Sequence, residues 1–185
     1  MDRGQDFLKS QINNAVMQHK SFVQALVDHE SQAEDGRYRD LCARFIPRME
    51  AHQRMLESYQ TRIGAEAGAA KKVMGKAMGM ARDLADATRE SDFLRLVGDI
   101  VMARQAEDTF KTFREGGRTL GDAQLAELGA MGEQDHDEYV RDANRLVQQM
   151  FVEHVRDVRP EARAMPMAFP MTFFAAPASA PIRVW

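Results

Sequence analysis

Glu133 and His136 stand three residues apart, and Glu107 precedes them in the neighbouring helical pattern. On a helix the spacing Glu-x-x-His puts a carboxylate and an imidazole one turn apart on one side. Phe93, Leu96, Ile100, Ala103 and Phe110 recur at helical spacing, and Glu107 falls on that stripe. Gly129, Val140, Ala143, Val147 and Phe151 mark a second stripe that carries Glu133 and His136. A turn near Gly116-Gly117 to Gly121-Asp122 folds the two helices together and brings Glu107 roughly level with Glu133. Two carboxylates and an imidazole converging between helices are the ingredients of a metal site in a bundle core.

Each of these residues also has a plainer reading. A buried acid must be paired, protonated or metal-bound, and Arg104 and Arg141 are the available partners for Glu107. The run from Glu133 to Glu138 is acidic enough to be a solvated face. His19 and His52 both sit on apolar stripes, where core histidines bonded to each other or to Tyr59 are the alternative to ligands. Cys42 reads as a small buried apolar residue, since no base accompanies it as in a nucleophilic pair.

The elements that position these groups follow from periodicity. A first helix runs from about Gly4 to Glu34, with Leu8, Ile12, Ala15, Phe22 and Leu26 as its stripe. The turn Glu34-Asp35-Gly36 predicts a left-handed glycine ending it. A second helix runs from about Tyr38 to Ile63, with Pro47 inside it as an expected kink. An antiparallel hairpin pivoting near Gly36 brings His19 and His52 to one level in the core. Residues Ala69 to Thr88, rich in glycine, alanine and methionine, read as a weaker helix crossing between two hairpins. Ser91 caps the next helix, and the last one ends near Asp157.

Composition sets the limits. Hydrophobic residues make up 44% of 185, enough for one core, and aromatics only 8%, which suits helices better than sheets. With 25 basic and 28 acidic residues there is no basic excess for nucleic acid. One cysteine excludes an internal disulfide. No apolar signal core opens the chain and no run is long enough to cross a bilayer, so the expected location is the cytoplasm. Residues 1–158 form the expected bundle. Residues 159–185 hold every proline but Pro47, together with apolar Met165, Met167, Phe169, Phe173, Phe174 and Trp185. That irregular tail has two readings: it docks on the bundle, on another copy in a homo-oligomer or on a protein partner, or it is an extension that stays mobile.

Helix order, the crossover after the second helix, Gln105-Ala106-Glu107, Leu120-Gly121-Asp122 and Glu133-x-x-His136 resemble the ferritin-like superfamily, in particular small bacterial stress proteins of the YciE/YciF type. The resemblance implies an all-α, ferritin-like four-helix bundle of two antiparallel hairpins. It also implies iron or manganese held by a Glu from each of two helices and Glu-x-x-His from the other two, with a role in iron handling or stress response. Glu107, Glu133 and His136 match that pattern. The second helix departs, since Glu50 and His52 are two apart and point to different sides. Glu30 is the first helix's acid, nearer the turn. With open positions, such a site would oxidise Fe(II) using oxygen or peroxide. The competing expectation is a metal-free adaptor or scaffold that docks partners through its tail.

Overall fold

The structure is a computed structural model that describes residues 3–65 and 91–158. The expected crossover helix and the tail 159–185 lie outside those residues. The described chain is helical: α1 (Arg3–Gln32), α2 (Gly36–Arg62), α3 (Asp92–Leu120) and α4 (Ala123–Val158), with no strand among the described residues. No described helix is long and apolar enough to cross a membrane.

Two aspartates show how the helices run. Asp92, at the start of α3, accepts the backbone N–H groups of Glu34 and Asp35, both at 2.7 Å. This ties α3's first turn to the α1–α2 turn. Asp122, between α3 and α4, accepts the Tyr59 hydroxyl at 2.9 Å and pairs with Arg62, both near the end of α2. So α2 ends at one pole of the bundle and α3 begins at the other. Helices α2 and α3 run parallel; α1 and α4 run opposite to them. Arg37 reaches Glu153 near the end of α4 at 2.8 Å, which agrees with that order.

The helix ends are chemically set. Asp35 caps α2 by accepting the Arg37 N–H at 2.8 Å, and Ser91 caps α3 through Leu94. Asp122 accepts the Leu125 N–H at 3.0 Å in the first turn of α4. Partial burial pushes its carboxyl up, but that N–H, Arg62 and Tyr59 outweigh burial and hold it below the usual range. Gly121, at φ 68°, supplies the left-handed residue that ends α3. The glycine expected to do so after α1 does not: Gly36 has no positive φ and is the first residue of α2. The aspartate beside it instead starts α2 as its N-cap. Gly116 and Gly117 likewise belong to α3 rather than to the turn. Helix α2 continues through Pro47.

The core has two parts. One gathers Phe22, Leu26, Tyr38, Phe45, Met49, Leu96, Tyr139 and Val140; the other Ile12, Leu56, Tyr59, Phe110, Leu125 and Leu128. Helices α3 and α4 come unusually close. A Cβ at Gly129 would lie 2.2 Å from the Arg114 nitrogen, and one at Gly117 would lie 2.3 Å from that of Ala126. These glycines set a register with Gly117 opposite Ala126 and Gly129 opposite Arg114.

Candidate metal centre: three buried histidines

The seam between the two core parts is polar. His19 of α1, His52 of α2 and His136 of α4 are 3%, 1% and 0% exposed. Their ring centres lie 5.2 Å (His19–His136) and 5.8 Å (His52–His136) apart. α3 contributes Phe110, whose ring centre is 5.6, 5.7 and 5.0 Å from those of His19, His52 and His136. The expected convergence of His19 and His52 is met, and His136 joins them.

Each imidazole is anchored through one nitrogen. His136 Nδ1–H donates to the Gly132 carbonyl at 2.7 Å. His52 Nε2 meets the Asp135 carboxylate at 2.7 Å. His19 Nδ1 meets Gln53 Oε1 at 3.0 Å. The Gln53 amide is oriented by its nitrogen, which donates to Glu57 at 2.7 Å and to the Val16 carbonyl at 3.3 Å. All three partners are acceptors, so in the neutral rings the anchored nitrogens carry the protons. The other nitrogens, His19 Nε2, His52 Nδ1 and His136 Nε2, are buried with no hydrogen-bond partner. Three bare lone pairs therefore remain in the core.

Charge is disfavoured at His19 and His136. Burial lowers His19 to about 4, with nearby His52 adding to the effect and Gln53 opposing it. Burial and the neighbouring His19 and His52 take His136 well below the usual histidine range, against the Gly132 bond. Neutral imidazole is the form that binds metals. Among the described residues, no three His, Cys, Asp or Glu side chains already stand arranged to hold a metal ion.

The carboxylates expected around His136 are engaged elsewhere. Glu107 pairs with Arg104 at 2.8 Å, one of the two arginines foreseen for it. Glu133 pairs with Arg114 across the α3–α4 hairpin. Glu50 is exposed and faces Arg54 at 3.8 Å. Glu30 is half-buried on α1, where its charge helps raise the Cys42 thiol behind the larger effects of burial and Asp99. Of the six expected ligands, His52 and His136 come together, with ring centres 5.8 Å apart.

Sequence reasoning passed over Gln53 and Asp135 as anchors, and it missed a second polar knot. Asp99, 0% exposed, accepts from the Tyr38 hydroxyl at 2.6 Å and from Tyr139 at 3.3 Å, and pairs with His29 at 3.0 Å. Its carboxylate is satisfied from three sides. Burial and then Asp99 drive the Tyr38 phenol far up, so it stays protonated as a donor. This knot holds α1, α2, α3 and α4 together and leaves nothing unmade, whereas the histidine cluster leaves three acceptors open. Compared with known proteins, the chain matches no family model, no curated protein and no solved structure.

Proposed function

We propose that this protein is a helical-bundle metal-binding protein whose ligands are His19, His52 and His136. The observation that carries the reading is the set of three buried imidazole nitrogens without a partner. Leaving a buried polar atom unsatisfied costs about 1–3 kcal/mol, and three together are hard to account for as packing. The anchored side of each ring matches what metal-ligating histidines use, an N–H given to a carboxylate or carbonyl that fixes the ring. An imidazole set suits iron, nickel, copper or zinc better than manganese. Such an ion would supply Lewis acidity, and iron or copper a redox couple as well.

The helix directions support a ferritin-like reading of the same bundle. Such folds need one long connection, from the end of the second helix to the far pole where the third begins. Their carboxylate-rich di-metal centre fits this chain poorly, because Glu107 and Glu133 are tied to arginines. The fit is to a site in which histidines replace those acids. Holding an ion calls for Phe110, packed against all three rings, to yield.

The test is direct. Metal content is measured on protein purified without chelator, and the stripped protein is titrated with Co2+, whose visible absorption reports imidazole ligation. Binding by the wild type that is lost in His136→Ala and His52→Ala is the expected result. No metal on purification and no Co2+ binding would overturn the proposal.

A second reading has one observation in its favour. Leu94, Val97 and Val101 are exposed on one face of α3, and Phe151, Val152 and Val155 are exposed near the end of α4. An apolar surface of this kind suits an adaptor or a homo-oligomer. A chain ending at Val158, compared with the full chain by size-exclusion, tests whether residues 159–185 take part. An unchanged assembly state removes the tail from that reading.

A further inference from the structure

We infer that Asp135 is the positioning residue of the histidine site: it fixes which nitrogen of His52 is offered to a metal. The inference rests on the metal-binding reading above and adds to it a residue that is not itself a ligand. Asp135 lies on α4 next to His136 but reaches across to α2, where its Oδ2 sits 2.7 Å from His52 Nε2. Its other oxygen is 3.4 Å from Arg48, one turn before His52 on α2. Arg48 is held in turn by Glu138 at 2.6 Å. The carboxylate is thus pinned at both oxygens, and its acceptor points at one ring nitrogen.

The consequence is chemical. An imidazole in water exchanges its proton between two nitrogens, and only the bare one binds a metal. With Asp135 accepting from Nε2–H, the bare atom is Nδ1, the one left buried and unpartnered in the core. If the proton were to shift to Nδ1, His52 would present a donor to the other two rings and no lone pair. Gly132 and Gln53 set the tautomers of His136 and His19 in the same way. A backbone carbonyl cannot be removed by substitution, and Gln53 also serves Glu57 and Val16. Asp135, 23% exposed at its side chain, is the anchor that can be altered from outside the core. Its negative charge also lies directly behind the ring, where it makes the imidazole a better donor to a cation.

The experiment reads the tautomer first, with no metal present. Nitrogen-15 NMR of histidine-labelled, chelator-treated protein is expected to show His52 protonated at Nε2 and bare at Nδ1. Asp135→Ala is expected to shift that resonance toward a mixture, and Asp135→Asn, which keeps an acceptor oxygen, to preserve it. Titration with Co2+ then follows. Loss of an outer-shell partner typically weakens metal binding about 10–100-fold, so Asp135→Ala is expected in that range and Asp135→Asn nearer the wild type. Circular dichroism confirms that each variant is folded. Should Asp135→Ala not fold, the wild-type spectrum carries the test, and a His52 bare at Nε2 or present as a mixture of tautomers would overturn the role of Asp135. Unchanged tautomer and unchanged affinity in Asp135→Ala would overturn the role of Asp135. A wild type that binds no Co2+ would instead overturn the metal reading, and the tautomer spectra tell these two failures apart.

Discussion

Gly132 and Phe110 touch where no methyl group fits: a Cβ at residue 132 would stand 2.4 Å from the Phe110 ring. The Gly132 carbonyl is also the acceptor that anchors His136. One residue therefore makes room for the ring that packs on the histidines and holds one of them in place. Gly132→Ala is expected to push Phe110 and α3 away from α4. Overpacking of this kind costs about 1–3 kcal/mol. Urea unfolding followed by circular dichroism checks it, and a variant as stable as wild type would mean that α3 yields without cost.

The buried histidines predict a definite response to acid. His19 and His136 have folded-state values lowered from about 6.5, His19 to about 4. The unfolded chain therefore takes up protons before the folded one does. The stability held by the neutral pair is fully present above pH 6.5 and is lost as pH falls toward 4. Each histidine in that window contributes a slope of roughly 1.4 kcal/mol per pH unit. Chelator-treated protein should unfold at lower urea at pH 5 than at pH 7, and His19→Gln should flatten the slope. Equal midpoints at the two pH values would contradict the burial.

The bundle itself was legible because helices announce their buried face every three or four residues. The convergence of His19 and His52 on one level followed from two stripes and a short turn. The side of the site formed by α3 was not legible. Stripes give the face of a helix but not how closely two faces approach. Here Gly117 and Gly129 bring α3 and α4 into a register that puts Arg114 within reach of Glu133. Arg104, one turn before Glu107, claims the other acid. Asp99 lies three residues after Leu96 on the same stripe, but nothing near it in the chain marks the tyrosines of α2 and α4 that satisfy it. Asp135 was hidden by its setting: in an acidic run, nothing local marks the side chain that reaches across to His52.

Asp122 ends three structural jobs at once if removed. It caps α4 through Leu125, receives Tyr59 and pairs with Arg62. Loss of a cap alone costs about 0.5–2 kcal/mol, and the Tyr59 hydroxyl would lose its partner too. Asp122→Ala is expected near or above the top of that range, with Asp122→Asn recovering part of it through the cap. Hydrogen exchange should show the damage concentrated at the end of α2 and the start of α4. Protection lost evenly along all four helices would mean that Asp122 is not the tie between these elements.

Tyr38 and Asp99 offer the control that separates structure from metal. Their bond, at 2.6 Å, joins α2 to α3 inside the core, and Asp99 keeps Tyr139 and His29 as further partners. A hydrogen bond to a charged group contributes about 1.5–3 kcal/mol. Tyr38→Phe removes the donor, leaves a ring of the same shape and keeps Asp99 partly satisfied, so the loss should lie within that range. The ring nitrogens at His19, His52 and His136 belong to a different set of contacts. Tyr38→Phe should therefore lower the unfolding midpoint while leaving Co2+ affinity at the wild-type value, and His136→Ala should abolish Co2+ binding. A variant at Tyr38 that weakened Co2+ binding tenfold would show the two polar knots to be one coupled network, and the histidines could then no longer be treated as a site of their own.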